Sequence, residues 1–244
     1  MSEEDLSDDQ ESQILKSQYK NSVVWYPALC GAFKLELREY IPDKVKLIYN
    51  HQLTKQPLQF NTLVVEADGD AKMKKGSVRQ FTVYNKVLIA KVRNNVEIKK
   101  GFARNFKKHN LVEYKSSKFP ISIYDYYKTQ GYCWMYAAME NNVSIKDISM
   151  TLVLEKQNRN FLNELKKDSG ITSDSPGIYS VNKSDSKTQV IVINELPEDD
   201  NIWLTSLRNN LNTSQLKRLQ AETAPYKDHP LVSAYLNVIF KANL

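Results

Sequence analysis

His109-Asn110-Leu111-Val112-Glu113-Tyr114-Lys115-Ser116 holds the residues best placed to do chemistry. An apolar pair, Leu111-Val112, runs into Glu113-x-Lys115. On a strand, residues i and i+2 share a face, so Glu113 and Lys115 stand side by side at a strand end. That pairing suits metal-dependent phosphodiester cleavage. The carboxylate holds a divalent cation, and the ammonium holds or helps to deprotonate the attacking water. The setting strengthens the reading. Residues 72–118 carry fourteen Lys or Arg and two acids, Glu97 and Glu113. A basic stretch around a candidate metal ligand fits a polyanionic substrate. Lys72, Lys74, Lys75, Arg79, Lys107 and Lys108 are its expected phosphate contacts, with Ser116 as a further donor after the motif.

Other residues are weaker candidates. His109, among lysines, reads as a surface or phosphate-contacting residue, and His51 and His229 have no partner pattern. Tyr124, Tyr126, Tyr127, Tyr132, Trp134 and Tyr136 could stack on bases, but at helical spacing the greater part should be core. Cys30 and Cys133 sit in apolar-aromatic runs and read as buried free thiols of a reducing cytoplasm. Neither has a Cys or His at zinc-ligand spacing. No Ser-His-Asp or Cys-His arrangement emerges.

These residues need elements to hold them. The pattern predicts a helix within 14–40, with Pro27 near a helix start and Glu36 among its apolar residues. An acid there needs a partner. Strands are predicted at 45–50 and 58–66, with a hairpin in 80–92 and the Glu-x-Lys strand at 110–115. A helix over 122–141, a strand at 149–155 and a helix at 158–167 follow. A hairpin pairs 176–182 with 188–194. Helices then cover 201–211, 213–222 with Thr213 as N-cap, and 228–242 with Asp228 as N-cap and Pro230 early. The order is mixed α/β around a central sheet.

Composition sets the class. The 244 residues are 41% hydrophobic and 25% charged, with net charge +6. Residues 1–12 hold six acids and no base, leaving 34 Lys or Arg against 22 acids beyond them. Residues 1–13 read as an acidic flexible tail, and 14–244 as one domain. No apolar run approaches the ~20 residues of a membrane span, and the start has no secretory pattern. The expectation is a cytoplasmic protein without membrane contact. A homo-oligomer is compatible with the sequence.

Leu35-Glu36-Leu37, the stretch Gln56-Pro57-Leu58-Gln59-Phe60-Asn61-Thr62-Leu63-Val64-Val65 and the Glu113-x-Lys115 strand together resemble the PD-(D/E)XK nuclease superfamily. More narrowly, the chain is similar to uncharacterised bacterial members that carry a misleading isopropylmalate dehydrogenase label. None of the seven glycines forms a Gly-x-Gly, so a dinucleotide loop finds no support. The resemblance implies a restriction-endonuclease-like fold, with a four- or five-stranded core sheet flanked by helices and a C-terminal helical segment at about 201–244. It implies a Mg²⁺- or Mn²⁺-dependent nuclease acting on nucleic acid, DNA favoured. Glu113 would be a metal ligand, Lys115 would activate water, and Glu36 would be an auxiliary acid of the same cleft. Gln130 would support substrate or metal-bound water.

The first metal-binding Asp of that family corresponds here to Asn61, which is neutral. Three readings of Asn61 stay open. The chain is a degenerate nuclease that keeps binding, or was inactivated by an Asp-to-Asn exchange, or its acid has moved to Glu66, Asp68 or Asp70. Asn61 and Glu113 are 52 residues apart, so about 70–100 reads as an inserted basic hairpin. The alternative function is a non-catalytic nucleic-acid-binding or protein-interaction protein on a nuclease-derived scaffold.

Overall fold

The computed structural model describes residues 25–41, 44–52, 86–92, 98–117 and 121–243. Helix α1 (Tyr26–Glu36) opens the described chain, with proline in its first turn, where a missing N–H costs no helical bond. Ala28, Leu29, Cys30, Ala32, Phe33 and Leu35 are all buried, so α1 is a core helix rather than a surface one. Strands β1 (Val45–Gln52), β2 (Lys86–Val92) and β3 (His109–Lys115) follow as antiparallel neighbours. Helix α2 (Ile123–Met139) carries the chain to β4 (Ile148–Leu154), which lies parallel to β3. Helix α3 (Arg159–Asp168) precedes β5 (Ile171–Ser175), β6 (Ile178–Val181) and β7 (Lys187–Val192). Helices α4 (Ile202–Thr205), α5 (Thr213–Thr223) and α6 (Pro230–Asn243) close the chain.

Among the described residues seven strands form one mixed sheet in the order β1-β2-β3-β4-β7-β6-β5. Strand β4, at its centre, is buried throughout and reads Ile-Ser-Met-Thr-Leu-Val-Leu, as a parallel strand covered on both faces should. Two apolar clusters fill the two faces. One joins α1, α4, α5 and α6 to Val112, Val153 and Ile191. The other joins α2 and α3 to Leu111, Met150, Leu152 and Val190. Gly31 lets α6 approach α1 closely, since a Cβ there would stand 2.6 Å from the Leu231 carbonyl oxygen. The C-terminal helices are therefore part of the main core.

Several sequence expectations are corrected. Residues 86–92 are no appended hairpin but β2, an interior strand between β1 and β3 whose Leu88, Ile89 and Ala90 are fully buried. The expected strand at 58–66, with Asn61, and the rest of the basic segment at 70–85 lie outside the described residues, as does the tail at 1–13. Among the described residues the sheet has seven strands rather than four or five; the edge strand β5 was not expected, because its exposed Thr172, Ser173 and Asp174 carry no apolar signal. The helix expected at 201–211 ends at Thr205, before a run rich in Asn, which competes for backbone bonds. Asn212 rather than Thr213 caps α5, by a reciprocal bond pair with Gln215, and α6 begins at Pro230. Among the described residues no helix is long and apolar enough to cross a membrane. Both cysteines are buried and free.

Candidate functional site at the carboxyl edge of β3 and β4

Strand alternation divides the residues of β3. Leu111 joins the cluster under α2, and Val112 joins the one under α1. Glu113 and Lys115 share the face of Leu111, so both look towards α2. Lys115 Nζ lies 2.8 Å from Glu113 Oε1 and 3.2 Å from Asp125 Oδ1. Asp125 belongs to the first turn of α2. Its Oδ2 accepts from the backbone N–H and the hydroxyl of Ser122, each at 3.0 Å, closing a capping box. One carboxylate thus starts the helix and anchors the lysine of the neighbouring strand.

The electrostatics follow from this geometry. Burial pulls the Lys115 ammonium down, but Glu113 and Asp125 together outweigh it and hold its pKa above the ordinary lysine value. Burial pushes Asp125 up. The Ser122 N–H and the Lys115 charge overcome that and keep it below the usual carboxylate range. Glu113 Oε2 is buried with no hydrogen-bond partner, and so is the Tyr132 hydroxyl of α2. A buried carboxylate oxygen without a donor is costly and marks a place where a cation or a donor would be gained.

Beyond Lys115 the chain leaves the sheet. A cavity of about 260 Å³ opens there, floored by Leu154 and Ile121 and ringed by Lys115, Ser116, Ser117, Lys156, Gln157 and Asn158. Asn158 caps α3, accepting from Phe161 N at 3.0 Å, so the positive end of that helix lies at the rim. Glu155 is buried just after β4. Its Oε2 accepts from the N–H and hydroxyl of Ser117, each at 2.8 Å, and fixes the turn out of β3. Two ammonium groups, hydroxyls and amides around one cavity form a donor-rich surface suited to a phosphate.

The structure gathers only part of the expected site. Glu113, Lys115 and Ser116 come together. Glu36 does not join them, because α1 packs on the opposite face of the sheet. Its carboxylate is instead consumed there. Oε1 accepts from the N–H groups of Trp203 and Leu204 at 3.1 and 3.2 Å, and Oε2 binds Lys100 Nζ at 2.9 Å. Burial raises the Glu36 pKa against the pull of Lys100. Gln130 faces the α2 side but is engaged at β7, donating to Thr188 Oγ1 at 2.9 Å and accepting from the Ser186 hydroxyl at 3.2 Å. Lys107 and Lys108 are exposed at the amino end of β3, the opposite end from Lys115 and about 25 Å away at strand rise. His109 is buried rather than superficial, with Nδ1 2.9 Å from the Tyr136 hydroxyl. Burial lowers its pKa, helped by Lys91. Tyr126, Tyr132 and Tyr136 are core, whereas Tyr124, Tyr127 and Trp134 are exposed. Asn61, Lys72, Lys74, Lys75 and Arg79 lie outside the described residues.

Sequence reasoning missed Asp125, Glu155, Lys156 and Asn158 as parts of this edge. Ser122-x-x-Asp125 before an apolar run is a capping signature and could have drawn attention to Asp125. Nothing local signals Glu155, which reaches the site only through the parallel pairing of β4 with β3. Among the described residues no three His, Cys, Asp or Glu side chains could jointly hold a metal ion. No family model, curated protein or solved structure matches the chain.

Proposed function

We propose that the carboxyl edge of β3 and β4 binds a phosphate of a nucleic acid, DNA favoured, and hydrolyses the phosphodiester in a Mg²⁺- or Mn²⁺-dependent reaction. One observation carries this reading: the buried, unpartnered Glu113 Oε2 beside a doubly anchored Lys115, next to a donor-lined cavity. The order of α1, three antiparallel strands, α2 and a parallel strand supports the restriction-endonuclease-like arrangement that the sequence resemblance implies.

Glu113 Oε2 would offer a hard divalent cation one carboxylate oxygen. Mg²⁺ takes oxygen ligands, keeps several waters, and needs only one or two carboxylates plus substrate oxygens. Glu113 would hold it, and the bound ion would polarise the phosphate and acidify its water. Lys115 stays an ammonium under its raised pKa, so it orients the attacking water by donating a hydrogen bond rather than by removing a proton. Asp125 keeps that ammonium in place. Ser116 and Lys156 would receive the phosphate oxygens, and Leu154 and Ile121 would exclude water beneath them.

A second reading, phosphate binding without cleavage, draws on a different fact. Lys115 already occupies both Glu113 and Asp125, and no third acid joins them among the described residues. One experiment separates the two readings. Plasmid, single-stranded DNA and RNA are incubated with Mg²⁺ or Mn²⁺, with EDTA as control, alongside Glu113→Gln and Lys115→Ala. Hydrolysis requires cleavage that EDTA abolishes and that each variant lowers by on the order of 100-fold. Asn61→Asp is expected to raise it by adding an anionic ligand. Binding that Lys156→Ala weakens, with no cleavage by any form, selects the second reading. Neither binding nor cleavage sinks both.

A further inference from the structure

A second cavity, of about 250 Å³, lies on the opposite side of the sheet, between the last turn of α1 and the start of α6. Leu35 and Val232 supply its apolar wall, and Pro225 and Tyr226 its rim. Lys34, Arg38 and His229 line it together with one acid, the exposed Asp228. Lys34 lies in the last turn of α1 and Arg38 just beyond its end, and their like charges repel one another. Both are half-buried, and neither forms an ion pair among the described residues. The negative end of α1 offsets part of that repulsion, but it does not account for a hollow beside them.

The three donors are individually prepared. Arg38 is held over the Trp203 ring at 4.5 Å and gives one N–H to the Leu35 carbonyl at 3.0 Å, leaving four of its five N–H groups. His229 Nδ1 accepts from Leu231 N at 3.2 Å, which places the proton of the neutral ring on Nε2. Burial lowers the His229 pKa, and the nearby charge of Lys34 lowers it further, so these two residues are electrostatic neighbours.

We propose that this cavity binds a small phosphate monoester with a compact apolar body. Lys34, Arg38 and His229 would take the three terminal oxygens, a number a carboxylate does not offer. Leu35, Val232 and the Tyr226 ring would cover the apolar body. The volume lies just below the range of drug-sized sites, which restricts the ligand to a small molecule. The site stands apart from Lys115, so it does not depend on the phosphodiesterase reading.

The test is titration calorimetry on the full chain with phenyl phosphate and with inorganic phosphate. Phenyl phosphate should saturate one site, and inorganic phosphate should bind about tenfold more weakly for want of the apolar body. Lys34→Gln and Arg38→Lys should each weaken phenyl phosphate by roughly tenfold, because each removes a charged or bidentate donor. Arg38→Lys keeps a cation over Trp203, and near-ultraviolet circular dichroism checks that both variants stay folded. Lys115→Ala should leave the affinity within about twofold, as expected for an independent site. Absence of saturation, equal binding of inorganic phosphate, unchanged affinity in Lys34→Gln, or loss in Lys115→Ala would each overturn the proposal.

Discussion

Lys115 owes its place to two carboxylates that arrive from different directions, one two residues back on its own strand and one on the helix that follows. The pH dependence of this triad can be worked out. Asp125 has a lowered pKa in the folded chain, so its stabilisation exists above the unfolded value of about 3.9 and is lost as pH falls through the folded value. Lys115 has a raised pKa, so its share exists below the unfolded value of about 10.4 and is lost as pH rises through the folded one. The contribution is therefore level between about pH 4 and pH 10. Asp125→Asn is expected to cost roughly 0.5–1.5 kcal/mol at pH 7, since the pair is part-exposed and the cap is weakened as well. Thermal melts across pH check this, with the gap to the parent chain closing below pH ~4. A gap that persists at pH ~2 would assign the loss to packing.

At the scale of elements, Glu36 ties α1 to the first turn of α4. It receives the N–H groups of Trp203 and Leu204, which a helix start leaves unbonded, and it neutralises Lys100 from the loop before β3. Three segments distant in the chain meet at one carboxylate. Burial raises its pKa against the pull of Lys100 and of the two N–H groups. Glu36→Ala should cost about 2–4 kcal/mol in denaturant unfolding, because buried donors lose their acceptor. Glu36→Gln, which keeps an amide oxygen for the same N–H groups, should cost less than half of that. A folded Glu36→Gln protein that has lost phosphodiester cleavage selectively would return Glu36 to the catalytic machinery.

For the whole molecule the controlling quantity is charge distribution. Beyond the acidic first residues the chain is strongly basic, and 72–118 is its most basic stretch. Within that stretch Lys107 and Lys108 lie exposed at the amino end of β3, while Lys115 lies at its carboxyl end. If the segment meets a polyanion, affinity should fall with salt, by a slope of about −0.9 in log K against log salt for each duplex phosphate neutralised. Replacing Lys72, Lys74, Lys75 and Arg79 by Ala is expected to weaken DNA binding and to flatten this slope. Fluorescence anisotropy between roughly 50 and 200 mM salt measures it. An unchanged slope would assign these residues to a protein partner or to solubility.

The sequence alone determined what depends on neighbours along the chain. Two-residue alternation sufficed to put Glu113 and Lys115 on one face. Apolar periodicity and capping residues located α2, α3, β4 and the β6–β7 hairpin to within a few positions. Even the need of Glu36 for a partner was legible, since an acid among Leu35, Leu37 and Phe33 cannot stay unpaired. The identity of that partner was not. Which side of the sheet α1 covers is decided by packing against α6 and α4, far away in sequence, and that choice separates Glu36 from Glu113. The same holds for β2, whose apolar run gives no indication of where in a sheet it belongs until β1 and β3 pair with it. Asp125, Glu155 and Lys156 reach the edge only through the parallel docking of β4 and the capped start of α2. Local pattern is written in spacing, whereas a site is a set of long-range contacts that exists only once the chain has folded.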